Sequence, residues 1–197
     1  MNIYIARHGQ THSNIKGEYY GRLDVSLNQE GIEQIQKLEP SLRNIVFDYV
    51  YSSNTKRTLE SLEISGNHLY NKVQIDDRLS ELNFGDFEGK TYQEICTLFP
   101  QYIDEWNKDW KNFCPPNGES FAAFYKRVCS FFRELLEIKA DHIFIMTHSG
   151  VIKAIYCYVL QNNPDLYWNF TAHNGKINVI KYEYGNLFID AMNRGEL

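Results

Sequence analysis

A chain of 197 residues, 43% hydrophobic and 23% charged, has the length and composition to bury a sizeable core in one globular domain. A net charge of −5 argues against a nucleic-acid binder, and no apolar run approaches the length of a membrane span. The four cysteines, Cys96, Cys114, Cys129 and Cys157, form no C-x-x-C pair and lie among apolar or aromatic neighbours, which predicts reduced thiols. No signal peptide fits ahead of Arg7, so a cytoplasmic protein is expected.

Residues 2–6 read as a strand buried on both faces, and Arg7, His8 and Gly9 follow it directly. Asn28 caps a predicted helix over QEGIEQIQKL, with Ile32, Ile35 and Leu38 on one face and a stop at Pro40. FDYVYSS reads as a second strand, NTKRTLESLEISGNHL as one helix and KVQID as a third, shorter strand. RLSELNFGDFEGK is a loop rich in glycine and acids. Thr91 to Phe113 reads as one or two helices with an aromatic stripe, ended by CPPNGES. A long amphipathic helix over Glu119–Ile138 precedes a fourth strand, HIFIM, and a helix over SGVIKAIYCYVL. The tail offers two strands, GKINVIKYEY and NLFIDAMN, turning at Gly185-Asn186. This alternation predicts an α/β three-layer sandwich: a mainly parallel sheet flanked by helices, with the tail hairpin as an antiparallel edge. The expected organisation is a single domain over residues 1–197, with a small helical lid inserted at about 91–118.

Ligands of parallel sheets sit outside the carboxyl ends of the strands. The first strand delivers Arg7-His8 there, and IFIMTHSG delivers His148 in the same way. YVYSS ends just before Arg57, in the first turn of its helix, and the exit of the third strand leads to Glu81. Two guanidiniums and helix N-termini suit a phosphate dianion. A neutral histidine among them can attack phosphorus, a second can donate to the phosphoryl oxygens, and a carboxylic acid can protonate a poor alkoxide leaving group. Glu81 has to carry a proton before that step although Arg7 and Arg57 favour its carboxylate, and a bound phosphate offsets those cations. Each residue alone has a bland reading: a cap or ion pair for Arg7-His8, a core histidine for His148, a solvated acid for Glu81. Together those readings need several coincidences at one sheet edge.

ARHGQTHSN resembles the R-H-G signature of the histidine phosphatase, or phosphoglycerate mutase-like, superfamily. The resemblance continues in order through GRLDVSLNQEG, SSNTKRT, ELNFGDFEG, PPNGES and MTHSG, which with the first makes six segments over residues 5–150. It implies that His8 becomes phosphohistidine, that Arg7, Arg57 and His148 bind the phosphoryl group, that Glu81 is the proton donor, and that Asn14 adds a phosphate hydrogen bond. Gly9 fits a close backbone approach to the ring or the phosphate. Ser149 departs from the Gly-Gly commoner in the last segment and adds a hydroxyl beside the site. His8 and His12 have an H-x-x-x-H spacing without a third ligand nearby, so neither a metal nor another cofactor is expected.

Compact length, ELNFGDFEG and PPNGES look most like the alpha-ribazole phosphatases of that superfamily, which remove the 5′-phosphate of a cobalamin lower-ligand precursor. A broad-specificity phosphatase or a phosphoglycerate mutase-like enzyme of sugar phosphate metabolism is the alternative. A non-catalytic phosphate-binding scaffold is a third, disfavoured because every catalytic residue type is present. Tyr19, Tyr20, Trp106, Trp110 and Phe113 are open to two readings, stacking a flat base or packing the lid onto the sheet. Gly21 and Arg22 either extend a positive rim or belong to a solvated surface. The expected partner is a small phosphomonoester, with no nucleic acid and no membrane, on a monomer or homodimer.

Overall fold

A computed structural model describes residues 1–195. β1 (Asn2–Arg7) leads through α1 (His12–Lys16) and β2 (Glu18–Tyr19) to α2 (Gln29–Leu42). β3 (Tyr49–Ser52), α3 (Lys56–Ile64), α4 (Asn67–Tyr70) and β4 (Val73–Ile75) come next. After a loop, β5 (Lys90–Thr91) opens the helical pair α5 (Tyr92–Leu98) and α6 (Pro100–Lys108). α7 (Phe121–Leu136), β6 (His142–Thr147) and α8 (Ser149–Val159) complete the α/β part, and the hairpin β7 (Ile177–Glu183) and β8 (Asn186–Arg194) ends the described chain.

The main sheet has the order β4-β3-β6-β1-β7-β8. β4, β3, β6 and β1 run parallel, and β7 turns antiparallel against β1. Period-two alternation explains the layers. Ile3, Ile5, Ile143 and Ile145 face α7 and α8, where Phe124, Val128, Phe132, Ile152 and Ile155 fill the core. Ala6, Val50, Phe144 and Met146 face the other way, against Ile35, Leu38 and Leu42 of α2 and Leu62 of α3. The sheet is therefore covered on both faces, as its apolar strands require. Among the described residues, no helix is long and apolar enough to cross a membrane.

The expected stop at Pro40 is wrong: α2 runs on to Leu42 with the proline inside it. A proline there removes one backbone bond and costs about 3 kcal/mol in a helix interior. Fully buried Leu38 and Leu42 bracket it, and the Arg43 amide still donates to Glu39 across it at 3.1 Å, so core packing and the following turn offset the loss. The single helix expected over residues 54–69 is broken instead at Ser65-Gly66, where Gly66 takes a φ of +129° that L side chains rarely adopt. The two-residue β2–β5 ladder, Glu18–Thr91 and Tyr19–Lys90, has no sequence signal of its own. It ties the start of the α5–α6 segment to the loop after α1.

Candidate active site

Parallel register sets the two histidines side by side. Arg7 pairs with Thr147 across β1 and β6, so the next residue on each strand, His8 and His148, leaves the sheet at the same edge. Their rings meet edge to face with centroids 5.2 Å apart, and both are buried. The His8 Nδ1 atom lies 2.7 Å from the Gly9 carbonyl, which only accepts, so Nδ1 carries the proton and Nε2 keeps its lone pair. Burial first, then the Arg7 and Arg57 charges, holds the His8 ring well below the ordinary histidine value. Burial and the same cations do this to His148. Both rings are neutral at pH 7, the form a nucleophile needs.

Each group at this end is fixed from behind. Arg57 is fully buried and donates through Nη1 to Leu23 O at 2.9 Å and through Nη2 to Gly21 O at 2.7 Å. Its guanidinium lies over the Tyr20 ring, 4.7 Å from the centroid. Arg7 donates to Ala172 O at 2.7 Å. His148 Nε2 pairs with Ser53 Oγ at 2.7 Å, and Ser53 in turn meets Thr58 Oγ1 at 3.0 Å. Asn174 donates to the His8 carbonyl at 3.0 Å and to Asn14 Oδ1 at 3.3 Å. The Asn14 oxygen also accepts from the Thr11 amide in the capping box of α1, which leaves its Nδ2 donor free. Among the described residues, five buried side-chain polar atoms lack a partner, and three of them are Arg7 Nε, Arg57 Nε and His148 Nδ1. A buried donor left unpaired costs about 1–3 kcal/mol, so a cluster of three on mutually interacting groups suits an acceptor-rich anion.

Glu81 reaches the site at the start of α8. Its Oε2 accepts from the Gly150 amide at 2.9 Å and its Oε1 from the Leu82 amide at 3.0 Å. The carboxyl thus caps the N-terminus of α8, whose N-cap, His148, makes no side-chain cap of its own. A Cβ on Gly150 would sit 2.1 Å from Glu81 Oε1, so only glycine admits this carboxyl. Arg127 of α7 holds the Glu81 segment by donating to the carbonyls of Arg78, Ser80 and Glu81 at 2.9, 2.7 and 3.0 Å. Glu119, the acid of PPNGES, pairs with the same guanidinium and accepts from the Asn83 amide at 3.0 Å. At the far end of that loop, Glu88 accepts from the amides of Gly21, Arg22 and Phe84 at 3.1, 2.7 and 3.2 Å and from that of Leu23.

The structure thus brings Arg7, His8, Arg57, Glu81 and His148 to one sheet edge, with Asn14 alongside. The Gly9 backbone does approach the His8 ring, through its carbonyl, and a Cβ there would also lie 2.3 Å from the Gly31 carbonyl, so α2 crowds the same glycine. His12 is exposed on α1 while His8 is buried, and among the described residues no group of three metal-ligating side chains could hold an ion. Gly21 contributes its carbonyl to Arg57, and the Arg22 side chain is exposed beside it. The aromatic stripe divides. Trp106 and Phe113 stack at 5.6 Å and pack with Phe99 around buried Phe87, and Tyr19 joins through Trp106. Trp110 turns away to Phe121 and Trp168. Ser53, Asn174, Glu88 and Arg127 were not singled out from sequence. Two of them carry a sequence signal, Ser53 by its place at a strand end and Glu88 as the second acid of ELNFGDFEG.

Such an edge, with paired neutral imidazoles, one buried and one half-buried guanidinium and a nearby carboxyl, defines a phosphoryl-transfer site that works by positioning and charge. Comparison with known proteins agrees. The model of the histidine phosphatase superfamily (branch 1) matches residues 3–195, and the chain belongs to that superfamily. It is similar to the adenosylcobalamin/alpha-ribazole phosphatase of Escherichia coli K12, 31% identical over 89% of this chain and 87% of that protein. Phosphoserine phosphatase 1 of Hydrogenobacter thermophilus is 29% identical over 93% and 87%. The crystal structure of the alpha-ribazole phosphatase from Shigella flexneri superposes with a TM-score of 0.94 at 28% identity, covering 100% of this chain and 98% of that one. The chain is a phosphatase of this superfamily, acting on phosphate esters of small molecules.

Proposed function

We propose that this chain hydrolyses alpha-ribazole 5′-phosphate in two steps through phosphohistidine at His8. His8 Nε2 attacks phosphorus, the P–O ester bond breaks, and Glu81 hands its proton to the departing 5′-oxygen. Water then attacks the phosphohistidine, the P–N bond breaks, and the Glu81 carboxylate takes the proton from that water. Inorganic phosphate and the alcohol are the products. Arg7, Arg57, His148 through Nδ1 and Asn14 through Nδ2 hold the phosphoryl oxygens, whose charge they match in the transition state. The segment at about 91–118 is the lid over the leaving-group side.

The observation that carries the mechanism is the His8 hydrogen bond: Nδ1 is committed to Gly9 O, which leaves Nε2 as the neutral nucleophile of a ring packed against His148 and close to the Arg7 and Arg57 charges. The substrate rests on the relatives, among which alpha-ribazole phosphatases recur by sequence and by structure. The test is a panel of alpha-ribazole 5′-phosphate, phosphoserine, 3-phosphoglycerate and fructose bisphosphate. This reading expects the highest kcat/KM on the first. A higher value on any other overturns the substrate, and no hydrolysis of any of them overturns the activity.

A further inference from the structure

A leaving group that takes its proton from Glu81 departs on the side of that carboxyl. A Cβ on Gly150 would sit 2.1 Å from Glu81 Oε1 and 2.9 Å from the Tyr167 hydroxyl, so these two groups face each other across that glycine. Tyr167 belongs to a 3-10 turn, Pro164–Asn169, packed against α8. The ring after it, Trp168, stands 5.1 Å from Tyr167 and 5.6 Å from Trp110, and 67% of it is exposed. An indole this exposed has ring surface open for stacking.

Lys153, one turn along α8 from Gly150, lies in the corner of these rings. Its ammonium is 4.0 Å from the Tyr167 centroid and 4.4 Å from that of Trp168. It makes no hydrogen bond or ion pair among the described residues, although it is only partly exposed. Burial lowers its affinity for the proton, and neighbouring Glu81 restores part of it. Cation–π contact holds the charge but leaves three N–H donors without an oxygen. An ammonium so placed, beside the acid and beneath an exposed indole, is matched by an alcohol bearing both a flat ring and hydroxyls.

We propose that Trp168 and Lys153 form the leaving-group subsite, the indole stacking on a flat heteroaromatic ring and the ammonium donating to the hydroxyls of the attached sugar. The subsite rests on the phosphatase reading above and narrows it to nucleoside-like esters. Trp106 and Phe113, tied up around Phe87, are not part of it.

The test compares kcat/KM on alpha-ribazole 5′-phosphate and on glycerol phosphate, which lacks a ring. Trp168→Ala should shrink the ratio between them about tenfold, chiefly through KM, the size expected for one ring–base stack. Trp168→Phe should recover most of the ratio. A ratio that stays put, or one that phenylalanine fails to recover, overturns the subsite. Lys153→Met keeps the contact with the rings and removes the donors, so it should cost alpha-ribazole 5′-phosphate several-fold more than 1-naphthyl phosphate, which has a ring and no hydroxyl. Equal losses overturn the role of Lys153. If the wild-type protein ignores alpha-ribazole 5′-phosphate, the substrate assignment fails alone, and 1-naphthyl against glycerol phosphate then decides the subsite by the same Trp168→Ala ratio.

Discussion

The two ends of this site are built on different principles. At the phosphate end His8, Arg57 and His148 are buried, Arg7 is half-buried, and each is held from behind: Arg57 by two carbonyls and a tyrosine ring, Arg7 by Ala172, His8 by Gly9, His148 by Ser53. At the leaving-group end Glu81 is held only by backbone amides, Lys153 rests on rings, and Trp168 stands in solvent. The difference separates chemistry from selection. Charge on a phosphoryl group is the same in every ester, so its receptor is rigid and prepaid in folding. The alcohol varies, and what meets it lies on short turns at the rim.

Substitutions can break that contrast or sharpen it. The largest effect belongs to the nucleophile: His8→Ala should lower kcat at least about 10⁴-fold on every ester, measured by phosphate release, because no second group replaces Nε2. Glu81→Gln should slow the phosphorylation of His8, read as the pre-steady-state burst, about 10²–10⁴-fold with alkyl phosphates and far less with p-nitrophenyl phosphate, whose leaving group needs no proton. Equal losses on both would place Glu81 with the phosphate end. Arg57→Lys should cost on the order of 10²–10³-fold on both kinds of ester, since the planar fork that reaches Gly21 O and Leu23 O is lost with it. Glu88 offers a sharper version. Its carboxylate gathers the amides of residues 21–23, whose carbonyls hold Arg57, so Glu88→Gln should raise KM about tenfold with no preference between alkyl and aryl esters.

The smallest effect concerns stability. Both imidazoles are held well below their ordinary 6.5, while the unfolded chain protonates them near that value. Below about pH 6.5 the unfolded state therefore binds more protons, and the fold loses stability as pH falls, by at most roughly 1.4 kcal/mol per pH unit for each ring. Urea midpoints measured from pH 7 to 5.5 should show the decline, and His148→Gln should flatten it. A midpoint that rises on acidification would contradict the buried, neutral pair.

Much of the phosphate end was legible before folding. Strand periodicity showed which residues leave a parallel sheet at its carboxyl edge, and His8, Arg57 and His148 all lie there. The helix limits were less legible because they depend on tertiary packing: Leu42 in the core carries α2 past Pro40. The rim was the least legible. DLYWNF shows no periodicity, and nothing local relates Trp168 to Lys153, fifteen positions earlier. Arg127 and Glu119 are opaque for the same reason, since their partners are backbone carbonyls and amides about 40 residues away.

The most direct measurement is a rapid quench of labelled substrate into alkaline denaturant, followed by peptide mapping. The account predicts a base-stable, acid-labile phosphoryl group on the peptide that contains His8, absent from His8→Ala. Turnover without label on His8, or label on any other residue, would contradict it.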